Sequence, residues 1–139
     1  MPKPPPLILL VEDEPDLREV IIDVIEIAGF RIEVAGNYAD GVALLNASRP
    51  ALLIANVVLP AGGDGYKLAQ AARRLGVPTL LVSGYPEEIV GAEARKVPFL
   101  TKPFGLTELK RMVRTLIERA PAVTKPDLPF IIQPICEVG

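Results

Sequence analysis

Five polar residues, each following a short apolar run, have the types and spacing to do chemistry together. They are Glu12, Asp13, Asn56, Ser83 and Lys102. Adjacent carboxylates repel one another unless a cation or an ammonium group lies between them. Mg²⁺ suits such a pair, since proteins hold it with one or two carboxylates, a carbonyl and several waters. A hydroxyl and an ammonium group beside that ion would form a pocket for a phosphoryl group in transfer.

The elements that must position these residues alternate between strand and helix five times. Short apolar runs ended by Pro, Gly or polar residues predict buried strands, and the segments between them carry helical apolar spacing. The predicted strands cover residues 7–11, 30–34, 52–55, 78–83 and 97–101. The predicted helices cover residues 15–28, 38–47, 66–75, 86–94 and 106–117, with Asn37 as the cap of the second.

This alternation predicts an α/β fold, an open doubly wound parallel sheet with helices on both faces. In such sheets ligands bind at the carboxyl ends of the strands. Each of the five polar residues ends a predicted strand or lies within two residues of its end, so we expect them to meet at one edge. A polar residue such as Asn56 at the end of a buried strand is therefore a candidate site residue.

Composition excludes several classes of function. The 139 residues carry a net charge of −2, which argues against a nucleic-acid surface, and no apolar run approaches the length of a membrane span. Histidine is absent, which removes His-based triads and most zinc sites, and we expect no enzyme activity. A lone Cys136 and an N-terminus without an apolar signal core predict a cytoplasmic protein.

Taken in order, these residues resemble the receiver domain of two-component response regulators, over roughly residues 7 to 119. That family has an acidic pair after its first strand, a phospho-accepting Asp after the third, Ser or Thr after the fourth and Lys-Pro after the fifth. The matching positions here are Glu12 with Asp13, Asn56, Ser83, and Lys102 with Pro103. Each motif is weak alone, but the set in this order is specific.

The resemblance implies a sheet order of 2-1-3-4-5 and a cis bond between Lys102 and Pro103. It implies a Mg²⁺ site formed by Glu12, Asp13, Asn56 and the backbone carbonyl of Val58. It also implies that Ser83 and Phe99 are switch residues. The expected partner is a histidine kinase or another phosphorelay protein, and a homodimer is left open.

Asn56 stands where the family has its nucleophilic Asp. A carboxylate oxygen can attack a phosphohistidine and form an acyl phosphate, whereas an amide oxygen carries no formal charge and would leave a high-energy adduct. The change also removes one negative charge from the cation site, so Mg²⁺ should bind more weakly. We therefore expect a receiver that ordinary aspartyl phosphorylation does not switch. The sequence does not separate natural divergence from a deliberate Asp-to-Asn change.

Other interpretations stay open at this point. Glu12 and Asp13 could be solvated residues at a helix start, Ser83 a turn residue and Lys102 a surface lysine. A flavodoxin-like protein or a Mg-dependent phosphate-binding protein shares the predicted strand order. The acidic loop after the first strand would repel a flavin phosphate, however, and the chain has no tryptophan to stack on a flavin ring.

Segments outside the predicted domain are rich in proline. Residues 1–6 read as an extended arm without a fold of its own, and residues 120–139 as a tail that packs on the domain or on a second protomer. No further domain is expected after this tail. The turn at residues 60–65 is about one residue longer than usual in the family, and a short interval before Lys102 predicts a small fourth helix.

Overall fold

A parallel five-stranded sheet forms the centre of the fold in the computed structural model, which describes residues 4–84 and 96–119. The strand order is β2-β1-β3-β4-β5, so the predicted 2-1-3-4-5 sheet is confirmed. The strands are β1 (Leu7–Val11), β2 (Arg31–Ala35), β3 (Leu52–Asn56), β4 (Thr79–Ser83) and β5 (Phe99–Thr101). The helices of the described residues are α1 (Pro15–Ile27), α2 (Tyr38–Ser48), α3 (Gly65–Arg74) and α4 (Leu106–Arg119).

Two hydrophobic cores lie on opposite faces of this sheet, because successive strand side chains point to opposite sides. In β3, Leu53 and Ala55 pack with α2 and α3, while Leu52 and Ile54 pack with α1 and α4. All five side chains of β3 are buried, as expected of a central strand covered by helices on both faces. Asn56 is the last residue of this strand, so the sheet holds its backbone in place.

Within the described residues, the observed bounds of the strands and helices differ from the predicted ones by two residues at most. The second strand begins one residue later than predicted, and its half-buried Glu33 accepts a 2.7 Å hydrogen bond from the Ser48 hydroxyl. Residues 4–6 of the predicted arm are exposed and lie outside any strand or helix, and they contact the domain through Arg31. Arg31 donates to the carbonyls of Pro5 and Pro6, since proline can still accept although it cannot donate.

Several predicted features lie outside the described residues. They are the helix over 86–94, the first three residues of the arm, and the tail over 120–139. Among the helices of residues 4–84 and 96–119, none has the length and hydrophobicity needed to cross a bilayer.

Asn37 caps α2 as predicted. Its backbone is extended, and its side-chain oxygen accepts a 2.8 Å hydrogen bond from the backbone N–H of Asp40. Asn37→Ala should therefore lower the free energy of unfolding by about 1 kcal/mol in urea denaturation. The control is Asn46→Ala, because Asn46 is exposed within α2 and its side chain donates to the Val42 carbonyl of its own helix. Equal stability of the two variants would show that the cap contributes nothing.

Candidate functional site

The five polar residues predicted to form a site lie around one cleft at the carboxyl edge of the sheet. Parallel register places Val11 beside Ala55 and Asn56 beside Val82, so the ends of β1, β3 and β4 are level. The cleft encloses about 210 Å³ and is lined by Glu12, Asp13, Glu14, Asn56, Val58, Val82, Ser83, Gly84 and Lys102. The structure thus brings together residues from four separate parts of the chain.

Backbone hydrogen bonds continue past the strand ends and fix the walls of this cleft. The N–H of Glu12 donates to Ala35, and the N–H of Lys102 donates to the carbonyl of Ser83 at 2.8 Å. The N–H of Val57 likewise donates to Val82 at 3.1 Å. The site residues are therefore held by the sheet ladder rather than by free loops.

Glu12 is almost completely buried, with 1% of its surface exposed, whereas the adjacent Asp13 is exposed. One Glu12 carboxylate oxygen, Oε2, accepts from the Asn56 side chain at 2.6 Å and from the backbone N–H of Glu14 at 3.1 Å. The other, Oε1, lies 3.6 Å from the Lys102 ammonium nitrogen. A buried carboxylate needs such partners to offset its lost hydration. Glu12 is thus a structural centre of the cleft, not a solvated helix-start residue.

Asn56 bridges the acidic pair. Its amide nitrogen donates to Glu12 Oε2 at 2.6 Å and to Asp13 Oδ1 at 3.2 Å, so the two carboxylates share one partner. Ionised carboxylates only accept hydrogen bonds, and they therefore select the donor end of the carboxamide. The opposite end, Oδ1, is buried and has no hydrogen-bond partner among the described residues.

The remaining predicted site residues differ in their closeness to the cleft. Ser83 is buried at the end of β4 and lines it, and the Lys102–Pro103 peptide bond is cis. Val58 also lines the cleft, with its side chain 58% exposed. Phe99 does not line it; this half-buried ring packs against the core under α2 and α3. The switch roles of Ser83 and Phe99 stay predictions.

Two residues near the cleft were not predicted as site residues: Arg18 gave no signal, and Gly65 was noted only in the Asp64-Gly65 turn, which resembles the family's Asp-Gly turn. The Arg18 guanidinium, half-buried in α1, donates to the backbone carbonyl of Glu12 at 3.3 Å. Gly65, the first residue of α3, lies so close to the β3 end that a Cβ atom would approach the Asn56 carbonyl oxygen to 2.3 Å. The Asp64 side chain caps α3 by accepting from the N–H of Lys67. Only the Asp-Gly pair gave a sequence signal for this close approach.

The side chains around the cleft supply only part of the ligands that Mg²⁺ requires. Two carboxylates and a nearby backbone are ligands that Mg²⁺ accepts. The point at which Glu12 and Asp13 converge, however, faces an amide N–H group, which cannot ligate a metal. No cluster of three or more Asp, Glu, His or Cys side chains within residues 4–84 and 96–119 is arranged to hold one. As the side chains stand, the site does not fit Mg²⁺.

An acidic cleft at the carboxyl edge of a 2-1-3-4-5 sheet, lined by Ser83 and by Lys102 before a cis proline, is the arrangement that the resemblance to receiver domains predicts. The family model described as response regulator receiver domain matches residues 8–114, and the chain belongs to that family. Two solved receiver structures share the fold. The CheY-like receiver domain protein from Methanospirillum hungatei has a TM-score of 0.77 and 21% identity, covering 85% of this chain and 98% of that one. The receiver protein from Sinorhizobium medicae has a TM-score of 0.77 and 22% identity, covering 84% and 97%.

Relatives in sequence are longer than this chain. The KDP operon transcriptional regulatory protein KdpE of Escherichia coli is 32% identical over 124 residues, which cover 86% of this chain and 55% of KdpE. The alkaline phosphatase synthesis regulator SphR of Synechococcus elongatus is 35% identical over 130 residues, covering 81% of this chain and 49% of SphR. The chain therefore spans about half the length of the curated relatives it matches.

Proposed function

We propose that this chain is a receiver in a two-component phosphorelay network that ordinary aspartyl phosphorylation does not switch, and that it acts through protein–protein contacts. The observation that carries this proposal is the position of Asn56. It ends β3 at the acidic cleft, with its amide nitrogen directed at Glu12 and Asp13. The partner is a histidine kinase or another phosphorelay protein, and the site of action is the cytoplasm.

Chemistry at this position supports the proposal. A phosphoryl group in transfer needs a nucleophilic oxygen with an available electron pair. The Asn56 amide donates its N–H groups toward the acid pair, and its oxygen is an uncharged and weak nucleophile. Lys102 and Ser83 keep the ammonium and hydroxyl groups that would surround an incoming phosphoryl group. The cleft thus retains the polar groups that would surround a phosphoryl group, but it has no side chain at the end of β3 that would accept one covalently.

Wild-type protein incubated with a small phosphodonor and Mg²⁺ should gain no covalent phosphoryl group. The reason is that β3 ends with Asn56, whose side chain carries an amide group in place of a carboxylate. Intact-protein mass spectrometry measures the result. A receiver with Asp at this position, treated with the same donor, serves as the control. A stable, acid-resistant phosphoryl adduct mapped to Asn56 would contradict the proposal.

A second candidate function follows from the relatives. KdpE is named a transcriptional regulatory protein, and RpaA of Synechocystis is named a DNA-binding transcriptional regulator. Because this chain spans about half of such proteins, it could serve as the receiver part of a longer DNA-binding regulator. The net charge of −2 favours protein contacts for the chain itself. Sequencing of the full reading frame and of its transcript distinguishes the two candidates.

A further inference from the structure

We infer that the Asn56 carboxamide replaces a divalent cation as the partner of Glu12 and Asp13, so that this receiver keeps its acidic cleft in one cation-independent arrangement. The inference rests on the proposed function, because it explains how a receiver without an acceptor keeps the geometry of its cleft. It concerns the resting state of the protein, which phosphoryl transfer does not test.

The first support is the match between donors and acceptors. The amide nitrogen of Asn56 has two N–H groups, and two carboxylates lie within hydrogen-bond distance of it, at 2.6 Å and 3.2 Å. Hydrogen bonds to ionised acceptors are stronger than neutral ones. One neutral side chain thereby joins the two acids that would otherwise repel each other across the cleft.

The second support is that the remaining Glu12 contacts are also supplied by the protein. The Lys102 ammonium group lies 3.6 Å from Glu12 Oε1, and the Glu14 backbone N–H donates to Oε2. Glu12 is 1% exposed, yet both of its oxygens have partners. The most buried carboxylate of the cleft therefore needs no metal to be stable in its place.

The third support is the side-chain oxygen of Asn56, which has no hydrogen-bond partner among the described residues. Asn56 is 6% exposed, and this oxygen, Oδ1, is buried. Such an unpaired group is costly, and the opposite orientation would direct an oxygen at two carboxylates. A cation that takes the Asn56 oxygen as a ligand between Glu12 and Asp13 must rotate the carboxamide and break both bonds to the acid pair. Cation binding thus competes with an interaction already formed inside the protein.

The test compares thermal unfolding in EDTA and in excess Mg²⁺ for three proteins. Wild type should melt at the same temperature in both buffers. Asn56→Asp adds a third carboxylate, so it should melt below wild type in EDTA and gain roughly 5–15 °C at about one hundred times its Kd for Mg²⁺. Asn46→Asp adds the same charge on the exposed surface of α2 and should respond to Mg²⁺ no more than wild type.

Side-chain NMR of the wild-type protein is the second measurement and does not depend on the variants folding. The Asn56 amide protons, assigned by through-bond correlation in isotopically labelled wild-type protein, should lie downfield of free asparagine and keep their positions when Mg²⁺ is added. The inference would be overturned by Asn56 amide signals at the chemical shifts of free asparagine. It would also be overturned if Mg²⁺ raised the wild-type melting temperature as much as it raises that of Asn56→Asp. Neither result would make wild type accept a phosphoryl group, so the proposed function would still stand. Conversely, a phosphoryl adduct on Asn56 would end that function without altering these two readouts.

Discussion

An Asn56→Asp variant is expected to bind Mg²⁺ and to accept a phosphoryl group from a small donor, whereas the wild-type protein accepts none. The substitution puts a carboxylate at the end of β3, beside Glu12 and Asp13 and opposite Lys102. It also removes the amide N–H groups that now occupy the acid pair. Both changes favour a cation at the point where these side chains converge.

The expected gain in Mg²⁺ affinity is large. A unit charge about 4 Å from another is worth roughly 4 kcal/mol at an effective dielectric constant of 20, before desolvation is subtracted. A tenfold gain needs only about 1.4 kcal/mol, so we expect Mg²⁺ to bind Asn56→Asp at least tenfold more tightly than wild type. Isothermal titration measures the affinity, and intact mass measures the phosphoryl transfer.

The control is again Asn46→Asp, which matches the change in charge outside the cleft lining. It should take no label and should bind Mg²⁺ as wild type does. Should Asn56→Asp gain neither cation nor label, the cleft would lack more than its nucleophile. The assignment of Ser83 and Lys102 to a phosphoryl pocket would then be wrong.

Gly65→Ala is expected to destabilise the protein, although alanine is the better helix former. Gly65 is the first residue of α3, where alanine gains up to about 1 kcal/mol of helix propensity over glycine. The added Cβ would lie 2.3 Å from the Asn56 carbonyl oxygen and 2.9 Å from Val57 Cα. Both are backbone atoms, which cannot move aside like the end of a side chain. Overpacking of this kind costs about 1–3 kcal/mol, and we expect the upper part of that range.

Urea denaturation with an unchanged m-value measures this loss. Gly84→Ala is the matched control, because Gly84 also lines the cleft, yet the nearest atom of the described residues would be Lys102 Cβ at an ordinary 3.8 Å. That control should stay within about 0.5 kcal/mol of wild type. Greater stability of Gly65→Ala than of wild type would show that α3 moves away from the β3 end at no cost.

Much of the fold follows from local pattern. The buried runs at residues 7–11 and 52–55 predict strands, and a helical segment between successive strands leaves a parallel sheet as the natural arrangement. Asn37 and Asp64 are side chains that cap helices wherever the chain turns into one, and both do so here. Strand order came from the family resemblance, because periodicity alone does not tell which strands are neighbours.

The convergence of Glu12, Asn56, Ser83 and Lys102 was determined by sequence, since parallel strands end at one edge of a sheet and each residue follows or ends a strand. Tertiary structure alone decided how their side chains are used. It buried Glu12 and exposed the adjacent Asp13, and it directed the Asn56 amide nitrogen at a carboxylate 44 positions away in the chain. In the tertiary structure Phe99 does not line the cleft, and Gly65 lies against the backbone at the end of β3. The physical reason is that burial, donor orientation and steric contact depend on atoms distant in sequence, whereas strand and helix ends depend on neighbours.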